Sequence, residues 1–213
     1  MYVPKQYRED RAEVLAGAVR AIQLATLVTP GPDGLQVSHV PMLLQEGADG
    51  AWTLESHVAR GNPHWKLAAS GAASVAVFQG PHAYISPSWY ASKREHGKVV
   101  PTWNYIAVHV HGALEAVQDE AWLRAQIAAL TRANEAAREH PWAVSDAPAD
   151  YMQGMVRAIV GLRLRVARVE GAWKMAQHRG EGDRLGVIAG LDAVPEGRAV
   201  AQVMRAQEAE RAG

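Results

Sequence analysis

Two glycine-ended turns between apolar runs constrain the fold of this chain more than any other feature. PGPDG occupies residues 30–34 and EGADG residues 46–50. They separate three runs with strand character, Ala25–Thr29, Leu35–Leu44 and Trp52–Ser56. Short turns that contain glycine are typical of antiparallel hairpins, because glycine adopts the positive φ angles that tight turns need. The first part of the chain is therefore predicted to be an antiparallel meander.

Further strand candidates are spread over the rest of the chain, namely Ala73–Gln79, Ala107–Val117, Ile159–Val169 and Trp173–Gln177. In the second of these, Val108, Val110 and Leu114 alternate with His109 and His111, a pattern that predicts a half-buried strand. Helices are predicted from near Asp10 to Ile22, from Pro63 to about Ala69, over Asp119–Arg138, from near Ala149, and over Asp183–Leu191 and Arg198–Arg211.

The helices interrupt the strands instead of alternating regularly with them, which argues against a doubly wound parallel sheet. The pattern predicts an α+β fold with a mainly β core. We expect a small barrel of about six antiparallel strands, with peripheral helices across its openings and a helical C-terminus.

Composition narrows the classes of function. Lys plus Arg and Asp plus Glu both number 22, and the chain has no cysteine. A net charge of zero gives little support to a dedicated nucleic-acid binder, and disulfide or thiolate chemistry is excluded. The N-terminal sequence MYVPKQYRED lacks the apolar core of a signal peptide, so the expected location is the cytoplasm.

The segment from His82 to Tyr105 is unusually aromatic. It contains Trp89, Trp103 and three tyrosines together with several prolines. Such a segment is too interrupted for a continuous helix and too aromatic for an ordinary linker. A planar ligand or a second subunit is the expected occupant of its surface.

The segment from His57 to Lys66 carries the features of an anion site. Asn62 is suited to cap a helix that starts at Pro63, and Arg60 lies just before it. A helix N-terminus beside a guanidinium group suits a phosphate. A well-capped surface helix with a solvated Arg60 is the alternative.

Two other groups of polar residues allow a functional interpretation. His109 and His111 share one face of a predicted strand and could hold a metal with His57 or His178, although polar strand residues at a subunit interface are commoner. No metal site is therefore predicted. The basic loop Lys93–Lys98 could contact phosphate or DNA, but such loops are more often solvated.

Several separated motifs resemble one known family. They are MYVPK at 1–5, GNPHW at 61–65, FQGPHAYIS at 78–86, SWY at 88–90, VPTWNY at 100–105, AVH at 107–109, IVG at 159–161 and WKMAQHR at 173–179. The chain resembles the PaiB-type, FMN-binding negative transcriptional regulators. Their split β-barrel is shared with the pyridoxamine-phosphate-oxidase-like flavoproteins.

The resemblance implies an obligate homodimer with FMN in a groove between the subunits. Arg60 and Lys66 would neutralise the FMN phosphate with help from the helix start at Asn62. The remaining implied flavin-binding residues are Ser38, His39, His57, Trp103, Asn104, Lys174 and Gln177. Ala176 and His178 stand where the family motif has serine and asparagine.

The domain and function expectations follow from the same resemblance. Residues 1–180 are expected to form the FMN-binding split-barrel domain, and 181–213 a helical extension packed on the barrel or on the dimer partner. The favoured function is a transcriptional regulator or flavin-dependent sensor with a possible DNA or protein partner, although no helix-turn-helix supports direct DNA binding. The alternative is a flavin oxidoreductase that transfers electrons from NAD(P)H to a small substrate.

Overall fold

The computed structural model describes residues 1–68 and 71–212. Its strands are β1 (Arg8–Glu9), β2 (Leu24–Gly31), β3 (Gly34–Pro41), β4 (Leu43–Glu46), β5 (Trp52–Ala59), β6 (Ala73–Ile85), β7 (Thr102–Val117) and β8 (Ile159–Lys174). Its helices are α1 (Ala12–Ile22), α2 (His64–Ala68), α3 (Ser92–Glu95), α4 (Glu120–Glu135), α5 (Ala149–Arg157), α6 (Glu181–Asp192) and α7 (Arg198–Ala212).

The described strands form one mainly antiparallel sheet. Its order is β3-β2-β6-β7-β8-β5-β4, with β1 paired to β8, and the sheet is not closed. The α+β split-barrel prediction is confirmed. The sheet has eight strands where about six were predicted.

Local interactions explain where the predicted strands differ from the observed ones. The predicted run Leu35–Leu44 is divided between β3 and β4, and between them the Met42 N–H donates to the Gln23 carbonyl at 2.9 Å. The two late runs are continuous in β8 as far as Lys174. Beyond that strand, Ala176 has a φ of 60°, a conformation that extended strands do not use.

The chain divides into two compact units. Unit 1 contains Met1–Ala18, Gln79–Val108 and Glu170–Gly213, and unit 2 contains Val19–Phe78 and His109–Val169. Strands β6, β7 and β8 each contribute residues to both.

The core of unit 1 involves its two C-terminal helices. Val187 and Leu191 of α6 are buried, as are Val200 and Met204 of α7. A Cβ atom at Gly190 would lie 2.3 Å from the Trp89 ring, so this position of α6 requires glycine to accommodate the indole. The predicted helices after residue 180 are thus present, while the predicted domain boundary stays a prediction.

In unit 2 the strand pairs β3-β2, β2-β6, β4-β5 and β5-β8 are antiparallel. Leu27, Leu54 and Leu162 are completely buried between the strands. Helix α4 begins after Asp119, whose carboxylate accepts the Trp122 N–H at 2.7 Å, as the sequence predicted for a helix cap.

The aromatic segment His82–Tyr105 joins two strand ends. Strand β6 continues to Ile85, a 3₁₀ turn covers Pro87–Trp89, and β7 begins at Thr102. The predicted burial in β7 is confirmed, because Val108, Val110 and Leu114 are all inaccessible to solvent.

The predicted end of α2 at Ala69 lies outside the described residues. Among the described residues, no helix is both long enough and apolar enough to cross a membrane.

Candidate functional site

A buried chain of hydrogen bonds in unit 2 is centred on His64, the first residue of α2. Its Nδ1 lies 3.0 Å from the Ser38 hydroxyl, and its Nε2 lies 2.8 Å from the Thr29 hydroxyl. Thr29 in turn lies 2.7 Å from Ser74, which donates to the carbonyl of Ala72 at 3.0 Å. At the other end, the Asn62 amide donates to Ser38 at 3.0 Å.

The donors and acceptors of this chain have one consistent direction. Because Ser74 donates to Ala72, its oxygen must accept from Thr29, and Thr29 must accept from His64 Nε2–H. His64 Nδ1 then accepts from Ser38. Burial lowers the pKa of His64, which favours this neutral, singly protonated imidazole. Each hydroxyl group and each imidazole nitrogen of this network therefore has a hydrogen-bond partner, as a buried structural network requires.

Asn62 has a second role at the start of α2. Its side-chain oxygen accepts the His64 N–H at 3.0 Å, which agrees with the helix cap predicted from the sequence. Of the predicted flavin residues in unit 2, the structure brings Asn62 and Ser38 together. Lys66 is exposed on the same short helix.

Arg60 is held by other parts of unit 2. Its guanidinium donates to the carbonyls of Arg157 and Ile159 and to the Gln118 side chain, each at 3.0 Å. Its three nitrogens therefore all have protein acceptors. The predicted contact of Arg60 with a phosphate stays a prediction, and it would use the two guanidinium N–H groups that these three bonds leave.

The two other predicted residues of unit 2 have separate partners. His39 is exposed and lies 3.1 Å from the Thr26 hydroxyl, on the face of β3 opposite the buried Ser38. His57 Nδ1 lies 2.7 Å from Gln126 Oε1, while the buried Nε2 of Gln126 has no hydrogen-bond partner among the described residues. Their roles toward a flavin stay predictions.

In unit 1, Lys174 lies at the end of β8 among neutral acceptors. Its Nζ donates to the Thr102 hydroxyl at 2.6 Å and to the Trp103 carbonyl at 2.8 Å, and it lies 5.9 Å from the centre of the Tyr105 ring. Burial lowers the pKa of Lys174. A partly desolvated ammonium group with neutral partners attracts an anion strongly.

Arg179 is the second cation of this region. Its guanidinium carbon lies 4.6 Å from the centre of the Tyr90 ring, and the nearest carboxylate, Asp183, is 3.9 Å away. Asp183 accepts from the backbone N–H and hydroxyl of Ser92 at 2.9 and 2.8 Å. The buried Nε of Arg179 has no hydrogen-bond partner among the described residues.

His178 lies between these cations in sequence, and its Nδ1 is 2.9 Å from the Tyr7 hydroxyl. The residue as a whole is exposed, but partial burial of the imidazole lowers its pKa, and the charges of Arg179 and Lys174 lower it further. The local potential in this part of unit 1 is therefore positive.

The other predicted residues of unit 1 differ in exposure. Asn104 is buried and donates to the sulfur of Met204 at 3.5 Å, while Gln177 accepts the Met175 N–H at 2.8 Å and donates to the Trp173 carbonyl. Trp103 is 53% exposed, with His82 and Tyr84 ring centres 6.2 and 6.1 Å from its own. Trp103 is thus the predicted residue with a free aromatic surface.

Sequence reasoning missed several residues of these clusters as site residues, among them His64, Arg179 and Tyr7. His64 and Arg179 were visible inside the motifs GNPHW and WKMAQHR. Tyr7 carries no such signal, because it reaches His178 across 171 positions of sequence.

Solved structures of flavoproteins share this fold. The FAD and heme binding protein from Mycobacterium smegmatis matches with a TM-score of 0.60 and 15% identity, over 84% of this chain and 78% of that one. The flavocytochrome Anf3 from Azotobacter vinelandii matches with a TM-score of 0.59 and 14% identity, over 86% of this chain and 78% of that one. The fold of this chain is therefore the split β-barrel that these flavoproteins have.

The family follows from closer similarity. The family model described as a putative FMN-binding domain matches residues 1–168. The Bacillus subtilis "Protease synthase and sporulation protein PAI 2" is 31% identical over 206 residues, which cover 96% of each chain. The protein therefore belongs to the putative FMN-binding domain family of PaiB-type proteins, as its motifs indicated.

Proposed function

We propose that the protein is a cytoplasmic, FMN-binding homodimer that acts as a transcriptional regulator or flavin-dependent sensor. The description of its family supports a flavin cofactor, and FMN in particular. The name of the B. subtilis relative, which refers to protease synthesis and sporulation, supports a regulatory role.

The observation that carries the proposal is the exposed aromatic surface of Trp103 beside Lys174. FMN combines a planar ring system with a phosphate, so it needs an aromatic or apolar surface and a cationic donor. Unit 1 offers both, because the Trp103 side chain is half exposed and its own carbonyl accepts from Lys174 at 2.8 Å. The donor set thus fits a phosphorylated flavin, which would supply redox chemistry when bound.

The proposed flavin residues remain those of the family resemblance. In unit 1 they are Trp103, Asn104, Lys174 and Gln177, and in unit 2 they are Ser38, His39, His57, Arg60, Asn62 and Lys66. Among them, Trp103 has the most surface available for a ring. Asn104 and Gln177 act through the backbone and core groups that they hold in position.

Exposed apolar residues support the homodimer. In unit 2, Leu24, Leu35 and Val37 of the β2-β3 hairpin expose large parts of their side chains. Leu35 also lines an open, largely apolar cavity of about 540 Å³. Apolar surface of this kind beside a cavity is typical of an interaction site, and a second subunit would cover it.

Fluorescence titration tests the flavin. Adding protein to FMN should quench the flavin emission, and Trp103→Ala should weaken binding roughly fivefold, because stacking on an aromatic side chain contributes about 1 kcal/mol. Trp142→Ala is the matched control, since Trp142 is 45% exposed but lies in unit 2. No quenching by the unmodified protein would refute the flavin proposal.

Separate measurements test the assembly and the regulatory role. Light scattering should give twice the chain mass of 23.0 kDa.

Mixing the FMN-loaded protein with NADH or NADPH without oxygen should leave the flavin oxidised on the mixing timescale, whereas rapid bleaching would favour the oxidoreductase. A gel shift that survives competitor DNA at moderate salt would establish direct operator binding.

A further inference from the structure

The flavin proposal uses only Lys174 and Asn104 of the residues that line a small cavity in unit 1. Its volume is about 180 Å³, below the range usual for the whole of a drug-sized ligand. It is lined by Tyr7, Tyr90, Val100, Pro101, Thr102, Asn104, Lys174, Ala176, His178 and Arg179.

The polar groups that line this cavity are suited to bind a negatively charged ligand. Lys174, His178 and Arg179 supply cationic or potentially cationic nitrogens, and Tyr7, Tyr90 and Thr102 supply hydroxyl groups. Among the described residues that line the cavity, neither aspartate nor glutamate is present. A cavity with these donors and no acid attracts an anion.

The cations near the cavity are weakly compensated by the protein. Both described hydrogen bonds of Lys174 are to neutral oxygens. Arg179 is 3.9 Å from Asp183, whose two oxygens already accept from Ser92, and its buried Nε has no partner among the described residues. Buried donors without partners are uncommon in native structures, and a bound ligand is one explanation.

The directions of the pKa shifts of Lys174 and His178 agree with this geometry. Burial is the first cause of the lowered pKa of both Lys174 and His178, and the charges of Arg179 and Lys174 lower that of His178 further. Lys174 and Arg179 therefore make protonation of His178 less favourable. An anion between them would relieve this repulsion.

We propose that this cavity is a binding site for a small oxyanion, a phosphate or carboxylate group held by Lys174, His178 and Arg179 with the Tyr7 hydroxyl. The cavity is too small for a three-ring flavin. A second cavity of about 350 Å³ shares His178 and Arg179 and has room for the rest of a larger ligand. The anionic group belongs either to a free small acid or phosphate ester, or to the phosphate end of a flavin.

Titration of inorganic phosphate into flavin-free protein tests the proposal. In a chloride-free buffer, the backbone amide NMR signals of residues 174–180 should shift saturably. Lys174→Met and Arg179→Gln should each weaken binding roughly tenfold to a hundredfold, because a hydrogen bond to a charged group is lost. Lys98→Gln removes an exposed charge of unit 1 outside the cavity lining and should change binding less than twofold.

His178→Gln keeps the experiment decisive if the Arg179 variant does not fold, because His178 is exposed and its substitution leaves the core intact. It should weaken phosphate binding while the melting temperature changes little. Absence of saturable shifts in the unmodified protein, or equal weakening by Lys98→Gln, would overturn the proposal.

Two further titrations distinguish the sources of the anion. If the site takes the flavin phosphate, FMN will block inorganic phosphate, and Arg179→Gln will reduce the preference for FMN over riboflavin. If it takes a separate anion, phosphate will still bind the FMN-loaded protein. Failure of FMN quenching alone would refute the proposed function but leave the phosphate result standing.

Discussion

The two polar clusters of the molecule differ in how completely their groups are satisfied. In unit 2, the chain from Asn62 through His64 to Ser74 is neutral, and each hydroxyl both donates and accepts. In unit 1, Lys174 and Arg179 have neutral or distant partners, and one buried Arg179 nitrogen has no described partner. Both clusters include a histidine whose pKa is lowered by burial.

This difference separates a structural role from a binding role. A fully satisfied buried network stabilises one conformation of the chain. A cluster of under-compensated cations beside a cavity is unfavourable for the free protein and favourable for an anion. We therefore expect substitutions at His64 to affect stability most, and substitutions at Lys174, His178 and Arg179 to affect anion binding most.

The largest predicted effect concerns the two histidines. His64→Leu should lower the free energy of unfolding by roughly 3 kcal/mol, because it leaves the buried Ser38 and Thr29 hydroxyls without their partner. His178→Leu should change it by less than about 1 kcal/mol. Urea unfolding measures both, with the exposed His39→Leu as a control. Equal losses of unfolding free energy in the His64 and His178 variants would contradict a structural role that is specific to His64.

A smaller effect is expected from pH. The pKa of His64 is lowered in the folded protein, so the unfolded chain binds more protons as pH falls below about 6.5. This contribution to stability is therefore complete above that pH and decreases below it. His178 contributes with the same sign.

Unfolding curves measured between pH 5.5 and 7.5 test whether His64 causes this pH dependence of stability. His64→Gln should flatten the pH dependence more than His178→Gln, because the His64 side chain is completely buried. His39→Gln serves as the control for an exposed imidazole. A steeper dependence in the His64 variant would contradict the neutral network.

The smallest effect concerns the backbone. Each unit has one described non-glycine residue at positive φ, Gln23 at 55° in unit 2 and Ala176 at 60° in unit 1. Glycine relieves this conformation, so Gln23→Gly and Ala176→Gly should each raise the free energy of unfolding by about 0.5 kcal/mol. Because glycine keeps the same backbone conformation without strain, neither variant should weaken phosphate binding. Thermal unfolding and the phosphate titration measure the two effects.

Much of the fold was predictable because local patterns and turns are strong signals. The alternation in β7 and the Asp119 cap of α4 were predicted and are present. The break at Met42 was not, because it depends on a hydrogen bond to Gln23 from a distant part of the chain. The candidate sites divide in the same way: the family resemblance identified Asn62, Ser38, Lys174 and Trp103 as site residues, but not which of them hydrogen-bond to one another.

The sequence by itself determined the strand and helix types, the aromatic segment and the family, because these depend on the order of neighbouring residues. Only the tertiary structure decided which polar groups meet. It paired His64 with Ser38 and Thr29, gave Arg60 three protein acceptors, and brought Tyr7 to His178. The physical reason is that hydrogen bonding and charge compensation depend on distances between residues far apart in sequence, which no local pattern specifies.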